Sequence, residues 1–193
     1  MSCFGIRSTG ADGLNSISLT SISAGTSALA SEVPALMDVN DIEFNPIACV
    51  NWKEYPYQPE VKFRAAHTGE AILLHYQVTE ASVRAVALAD DGRVWEDACV
   101  EFFLSPEGND FYYNFECNCA TKLLLHGGAA GTERPGASEE VLKSVKRWSS
   151  LGTEPFEEKV GECTWEVALI IPVSAIFRRE YDLRYDGQVV GRK

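Results

Sequence analysis

Trp95, Glu96 and Asp97 stand in a row before a strand-like run, and a further acid, Glu101, follows six residues after the tryptophan. An indole beside fixed carboxylates suits recognition of a polyol. The ring covers an apolar face, and the carboxylates accept hydrogen bonds from hydroxyls. In extended backbone, Val100, Phe102 and Leu104 point one way, and Cys99, Glu101 and Phe103 the other. After a turn at 105–109 (SPEGN), the next run sets Phe111, Tyr113, Phe115 and Cys117 on one face. Tyr112, Asn114, Glu116 and Asn118 occupy its opposite face. A charge that shares a face with Phe and Cys needs a partner or a wet concavity. If the polar faces of the two runs adjoin, Glu101, Asn114, Glu116 and Asn118 line one groove beside Trp95. The plainer account of these residues is a hairpin with water-facing glutamates, a solvated turn at Glu96-Asp97 and a core or rim tryptophan.

The rest of the chain supplies the frame for such a groove. Val61–Thr68, Ala71–Thr79, Val83–Ala89, Lys122–Leu125 and Thr164–Ile171 read as further strands, separated by turn signals such as Thr68-Gly69-Glu70 and Asp90-Asp91-Gly92. Short strands at close intervals imply an all-β, antiparallel β-sandwich of immunoglobulin or jelly-roll type, not alternating βα units. Ser138–Ser149 breaks the pattern. Val141, Val145 and Trp148 fall at helical spacing behind a Ser138 N-cap, which predicts one short helix in a long connection. Val173–Phe177 follows Pro172 as a turn of helix. Trp148 is expected to anchor the helix and Trp165 to pack in the core.

Residues 1–31 are rich in Ser, Ala, Gly and Thr and read as a disordered leader. They lack the apolar centre of a signal peptide. The sandwich is assigned to 32–178, and 179–193 to an atypical tail. The 193 residues suffice for one domain, and 46% are hydrophobic. A net charge of −11 leaves no basic surface for nucleic acid or an anionic membrane. No apolar run approaches the roughly 20 residues of a membrane span. Six cysteines include no CxxC pair, and most are expected to be buried free thiols. The three histidines (His67, His75 and His126) lack metal spacing and read as strand residues.

The order of VWEDACVEFFLSP, FYYNFECNCATKLLL, a helical connection, and PFEEK followed by TWEVALIIPVSAIF resembles carbohydrate-binding module family 9, across Val33 to Phe177. The W-x-D-x-x-V-E-x-F segment is the most specific part of the match. The resemblance implies a β-sandwich that binds mono- or oligosaccharide of plant-polysaccharide type between two Trp rings. It also implies attachment to glycoside hydrolases in polysaccharide degradation, an extracellular or periplasmic location, and in some members a structural calcium. By position, Trp95 matches the first clamp Trp and Glu101 the acid six residues later. Asn114, Glu116 and Asn118 lie where the next strand supplies polar contacts. Together with Glu96 and Asp97 these form the expected ligand-binding set, and no residue is assigned as catalytic. Two departures stand out. The tail carries no second clamp Trp, which reads as a truncated or frame-shifted end, and Glu116 lies near the place of an expected basic residue.

Two other functions follow from the same residues. A glycoside hydrolase would use two acids from Glu96, Asp97, Glu101 and Glu116, about 5–5.5 Å apart for retention or about 6.5–9.5 Å for inversion. A structural or interaction domain that has lost the sugar site would bury Trp95 in its core.

Overall fold

The computed structural model describes residues 19–25, 27–48, 57–105 and 111–176 with their side chains. It also gives the backbone of strands at 3–8, 181–183 and 189–191. Two sheets face each other. The first runs in the order β1 (Cys3–Ser8), β6 (Cys99–Leu104), β7 (Phe111–Asn118), β8 (Leu123–Ala129). The second runs β2 (Thr20–Ser21), β4 (Glu60–His67), β5 (Ala71–Ala85), β10 (Phe156–Pro172), β9 (Lys146–Ser149), and β3 (Asn45–Pro46) also pairs with β4. A separate ribbon joins β11 (Tyr181–Leu183) to β12 (Val189–Gly191). The pairs β6–β7, β7–β8, β4–β5, β5–β10 and β9–β10 are antiparallel, as alternation predicts, while β1 and β2 join their neighbours in parallel.

The core lies between the sheets. Val100, Phe102, Leu104, Tyr113, Phe115 and Cys117 enter it from the first sheet, and Phe63, Leu74, Tyr76, Trp165, Val167 and Leu169 from the second. These are the alternate residues of each run, so hydrophobic burial fixes which face of each strand looks inward. Trp165 is 1% exposed, and its Nε1 donates to Glu80 at 2.6 Å. The Tyr76 hydroxyl crosses the sandwich and donates to the Glu101 carbonyl at 3.1 Å. Cys99, Cys117 and Cys119 are buried and Cys163 half-buried, all as free thiols; Cys3 and Cys49 lie outside the residues described with side chains.

Four expectations need correction. The run at 71–79 and the first part of the run at 83–89 are one long strand, β5, which continues through 80–82 across a register shift against β10 and ends at Ala85, so residues 86–89 lie outside it. The expected helix stops early: α2 spans Glu139–Ser144, with Ser138 Oγ accepting from the Val141 N–H at 3.3 Å. Residues 146–149 become β9, because their backbone finds a ladder along β10 and Trp148 packs on the outer cluster of the second sheet. A second helix, α1 (Val33–Val39), had no sequence prediction. Nor is all of 1–31 a detached leader. Ile22 and Ala30 are buried with Val33 and Met37 against Ala66, Leu73, Ala168 and Ile170, on the face of the second sheet away from the core. That face is apolar at these positions, so a segment with few apolar residues is held by covering it. Val173–Ala175 forms the expected turn, as a 3-10 helix, while Phe177 lies outside the described residues.

A polar row on the same outer face predicts a pH response. Arg64 Nε donates to His75 Nδ1 at 3.1 Å, so the imidazole proton sits on Nε2 and is shared with Glu166 Oε2 at 2.8 Å. Burial pushes the His75 pKa below its ordinary 6.5, against the opposing pull of Glu166. Below pH 6.5 the unfolded chain therefore takes up a proton that the folded chain does not, and stability is lost as the pH falls. Urea midpoints at pH 8 and pH 5.5 should show this loss, and His75→Gln should reduce it. An unchanged pH slope in the variant would refute the assignment.

Candidate functional site

Register decides which polar groups meet. Across β6–β7, Glu101 lies opposite Glu116, Phe103 opposite Asn114 and Cys99 opposite Asn118. Across β7–β8, Tyr112 lies opposite Gly128, Asn114 opposite His126 and Glu116 opposite Leu124. Paired residues share a face. The face of the first sheet away from the core therefore gathers Glu101, Phe103, Tyr112, Asn114, Glu116 and His126. The adjacency inferred from alternation is the one that the strands form.

Two groups at its centre are held at a cost. Asn114 Nδ2 donates to Glu116 Oε1 at 2.6 Å. Asn114 Oδ1 and Glu116 Oε2 are buried and have no hydrogen-bond partner. Each buried acceptor left without a donor costs about 1–3 kcal/mol. Burial also pushes the Glu116 pKa above its ordinary 4.5, opposed by the Asn114 hydrogen bond and by the charges of His126 and Arg134. Neighbouring acceptors with unused capacity suit a ligand that carries hydroxyl donors.

His126 and Arg134 are contributors that the sequence reading missed. His126 shares a hydrogen between its Nε2 and Asp91 Oδ1 at 2.8 Å. Its place on the face was readable only from the β7–β8 register. Arg134 lies in the connection after β8, where no local pattern marks it. Its guanidinium stacks over the Tyr112 ring at 4.7 Å, and its Nη1 is buried without a partner. Gly128 makes this approach possible, because a Cβ there would lie 2.8 Å from Arg134 Cγ and 3.3 Å from its Cα.

The remaining expected residues divide into a rim and its support. Trp95 sits on a 3-10 turn, Val94–Glu96, and is 37% exposed, so it is a surface residue rather than a core one. Glu96 pairs with Arg93, and its carbonyl accepts from Arg84. Asp97 turns inward. Its carboxylate accepts from the N–H groups of Val86 and Ala87, at 2.9 and 3.0 Å, and from Asn118 Nδ2 at 2.9 Å. Asn118 Oδ1 accepts from Ala120 and Lys122, at 3.1 and 2.8 Å, closing the β7–β8 turn. Asp97 and Asn118 are thus used by the fold, and they tie the Trp95 turn to one end of the polar face. Among the described residues no three His, Cys, Asp or Glu side chains gather to hold a metal ion. Among them, too, no helix is long and apolar enough to cross a membrane.

The two sheets thus form a β-sandwich, with Trp95 exposed on a turn at one end of the polar face. The profile described as carbohydrate-binding family 9 matches residues 31–190, and the chain belongs to that family. The match runs on past residue 178, into the segment set apart as a tail. The chain is also similar to a candidate carbohydrate-binding protein from Bacteroides uniformis ATCC 8492, known from a crystal structure. The two are 54% identical, over 90% of this chain and 87% of that one, with a TM-score of 0.81. No curated protein matches the chain.

Proposed function

We propose that the outer face of β6–β8 binds a mono- or oligosaccharide non-catalytically, in the service of polysaccharide breakdown. The unpartnered acceptor pair Asn114 Oδ1 and Glu116 Oε2 carries this reading. Sugar hydroxyls supply the donors that this pair lacks, and Trp95 at the rim offers a stacking surface for the apolar face of the ring. Family membership supports binding as the role, and the Bacteroides uniformis relative is described in the same terms.

Isothermal titration against a panel of neutral mono- and oligosaccharides tests the proposal. Trp95→Ala is expected to weaken binding roughly tenfold, the effect of losing about 1.4 kcal/mol of stacking. No heat from any glycan, or equal binding by the variant, would sink it. Hydrolysis is the competing outcome. With Asp97 engaged by the backbone, the facing pair Glu101 and Glu116 is the acid pair best placed for it. Reducing-sugar release that disappears in Glu116→Gln would replace binding by catalysis.

A further inference from the structure

Beside the end of β5 the molecule opens into a cleft of about 240 Å³. Strand alternation breaks there. Tyr76 and Val78 enter the core from even positions, Val83 and Ala85 from odd ones, so β5 changes face between them. Against the same stretch β10 slips register twice, between Phe156 and Lys159 and between Val160 and Cys163. Such bulges turn side chains out of the regular pattern. Glu80, opposite Cys163, keeps the inward direction and is 7% exposed. Its Oε1 accepts from Trp165 Nε1 at 2.6 Å. Oε2 has no hydrogen-bond partner among the described residues, and the side chain borders the cleft. A carboxylate withdrawn from water and only half supplied with donors is costly to keep. Burial accordingly pushes its pKa above the ordinary 4.5, against the pull of the Trp165 hydrogen bond.

The other lining groups are mostly acidic. Glu96, Asp97 and the exposed Glu158 join Glu80 around the cleft, with Arg84 as the basic member. Arg84 is engaged elsewhere, since its Nη2 donates to the Glu96 carbonyl and its Nε lies 3.7 Å from Asp97. Among the described residues no three His, Cys, Asp or Glu side chains gather to hold a metal ion, so these carboxylates stand too far apart to ligate one directly. A larger cation that brings its own N–H donors suits them.

We propose that this cleft binds an organic ammonium ion, one of whose N–H groups donates to Glu80 Oε2. Ser82, on the same wall, offers a hydroxyl oxygen as a second acceptor. The exposed Tyr57 ring, tied down where its hydroxyl accepts from the Ala81 N–H at 2.9 Å, gives the carbon stem an apolar wall. An amino sugar and an aliphatic amine carry the same group and are the two sources of such a ligand. The cleft lies between β5, β10 and the Trp95 turn, apart from the outer face of β6–β8, and does not depend on the carbohydrate-binding reading of that face.

The test is titration of n-butylammonium, D-glucosamine, tetramethylammonium and D-glucose into the intact chain at constant ionic strength. Binding is followed by the Trp165 indole N–H signal in heteronuclear NMR, because that group shares Glu80 with the ligand. At least one of the two amines should bind and shift the signal, and the tighter of them names the source. Tetramethylammonium carries the charge without an N–H donor and should bind at least about tenfold more weakly. Glu80→Gln keeps an oxygen for the indole and removes the charge, so it should lose at least about tenfold in amine affinity. Glu158→Lys sets a rival ammonium at the exposed edge and should weaken amine binding likewise, which covers the case of a misfolded Glu80→Gln. No amine binding, equal affinity for tetramethylammonium, or undiminished binding in both variants overturns the site; the last two would mark general attraction to an acidic chain. Glucose binding that leaves the Trp165 signal in place belongs to the polar face, so failure of the ammonium site leaves the carbohydrate reading standing.

Discussion

Asp97→Ala is expected to destabilise the domain by about 3–4 kcal/mol, the largest stability effect of any residue around the site. The carboxylate holds three hydrogen bonds, to the backbone N–H groups of Val86 and Ala87 and to the Asn118 amide, with Arg84 Nε a further 3.7 Å away. Removing it strands the fully buried Asn118 amide and frees the chain after β5 from the turn that carries Trp95. Hydrogen bonds to a charged group are worth about 1.5–3 kcal/mol each, and partial access of water to the Val86 and Ala87 amides offsets part of the loss. Chemical denaturation followed by tryptophan fluorescence measures the change. Asp97→Asn should fall between the two, since an amide oxygen can keep part of the acceptor set. A loss below about 0.5 kcal/mol for the alanine variant, the range of ordinary surface substitutions, would show that Asp97 is not structural.

Glu116→Ala is expected to weaken sugar binding about a hundredfold, the effect of losing charged hydrogen bonds at a desolvated site. The same carboxyl gives binding a pH dependence. Its pKa in the folded protein stands above the ordinary 4.5 because burial disfavours the ionised form. Only the ionised form offers both oxygens as acceptors. Affinity should therefore hold at neutral pH and decline as the pH falls through that raised value. Stability runs the other way. A raised pKa in the folded state means stability present below pH 4.5 and lost as the pH rises through the folded value. Glu116→Gln should then bind weakly and yet melt higher at neutral pH, while its binding loses the acid-side decline. Titrations at several pH values, paired with melting curves, separate these effects. A variant that binds as well as the parent at neutral pH would remove Glu116 from the site.

A raised melting point in a variant that binds less would be the expected mark of a group kept for a ligand. Glu116 and Asn114 leave acceptors unused that leucine or valine would not. Such groups are tolerated in folds where something outside the chain completes them.

The strand faces that carry the candidate site are legible in the sequence. Side-chain direction in a strand has a period of two, set by local backbone geometry, so a short window suffices to place Glu101 with Phe103 and Asn114 with Glu116. The apolar partners on the opposite faces, Val100, Phe102, Tyr113 and Phe115, show which side goes to the core. Local pattern also marks Ser138 as a helix cap and Trp165 as a core residue. The sequence by itself thus determined the sandwich, the two strands that carry the polar face and the alternation along them.

Only the tertiary structure decided what those polar groups do. Asp97 and Asn118 look like their neighbours in sequence, yet the closing of loops upon them uses their hydrogen-bonding capacity within the fold. His126 joins the face through a register between strands, and Arg134 through a connection that passes over Gly128. The segment around Ile22 and α1 is ordered by an apolar sheet face that lies remote in sequence. In each case the deciding partner is far along the chain. A local period reports a residue's direction, and only the assembled sheets report what it meets there.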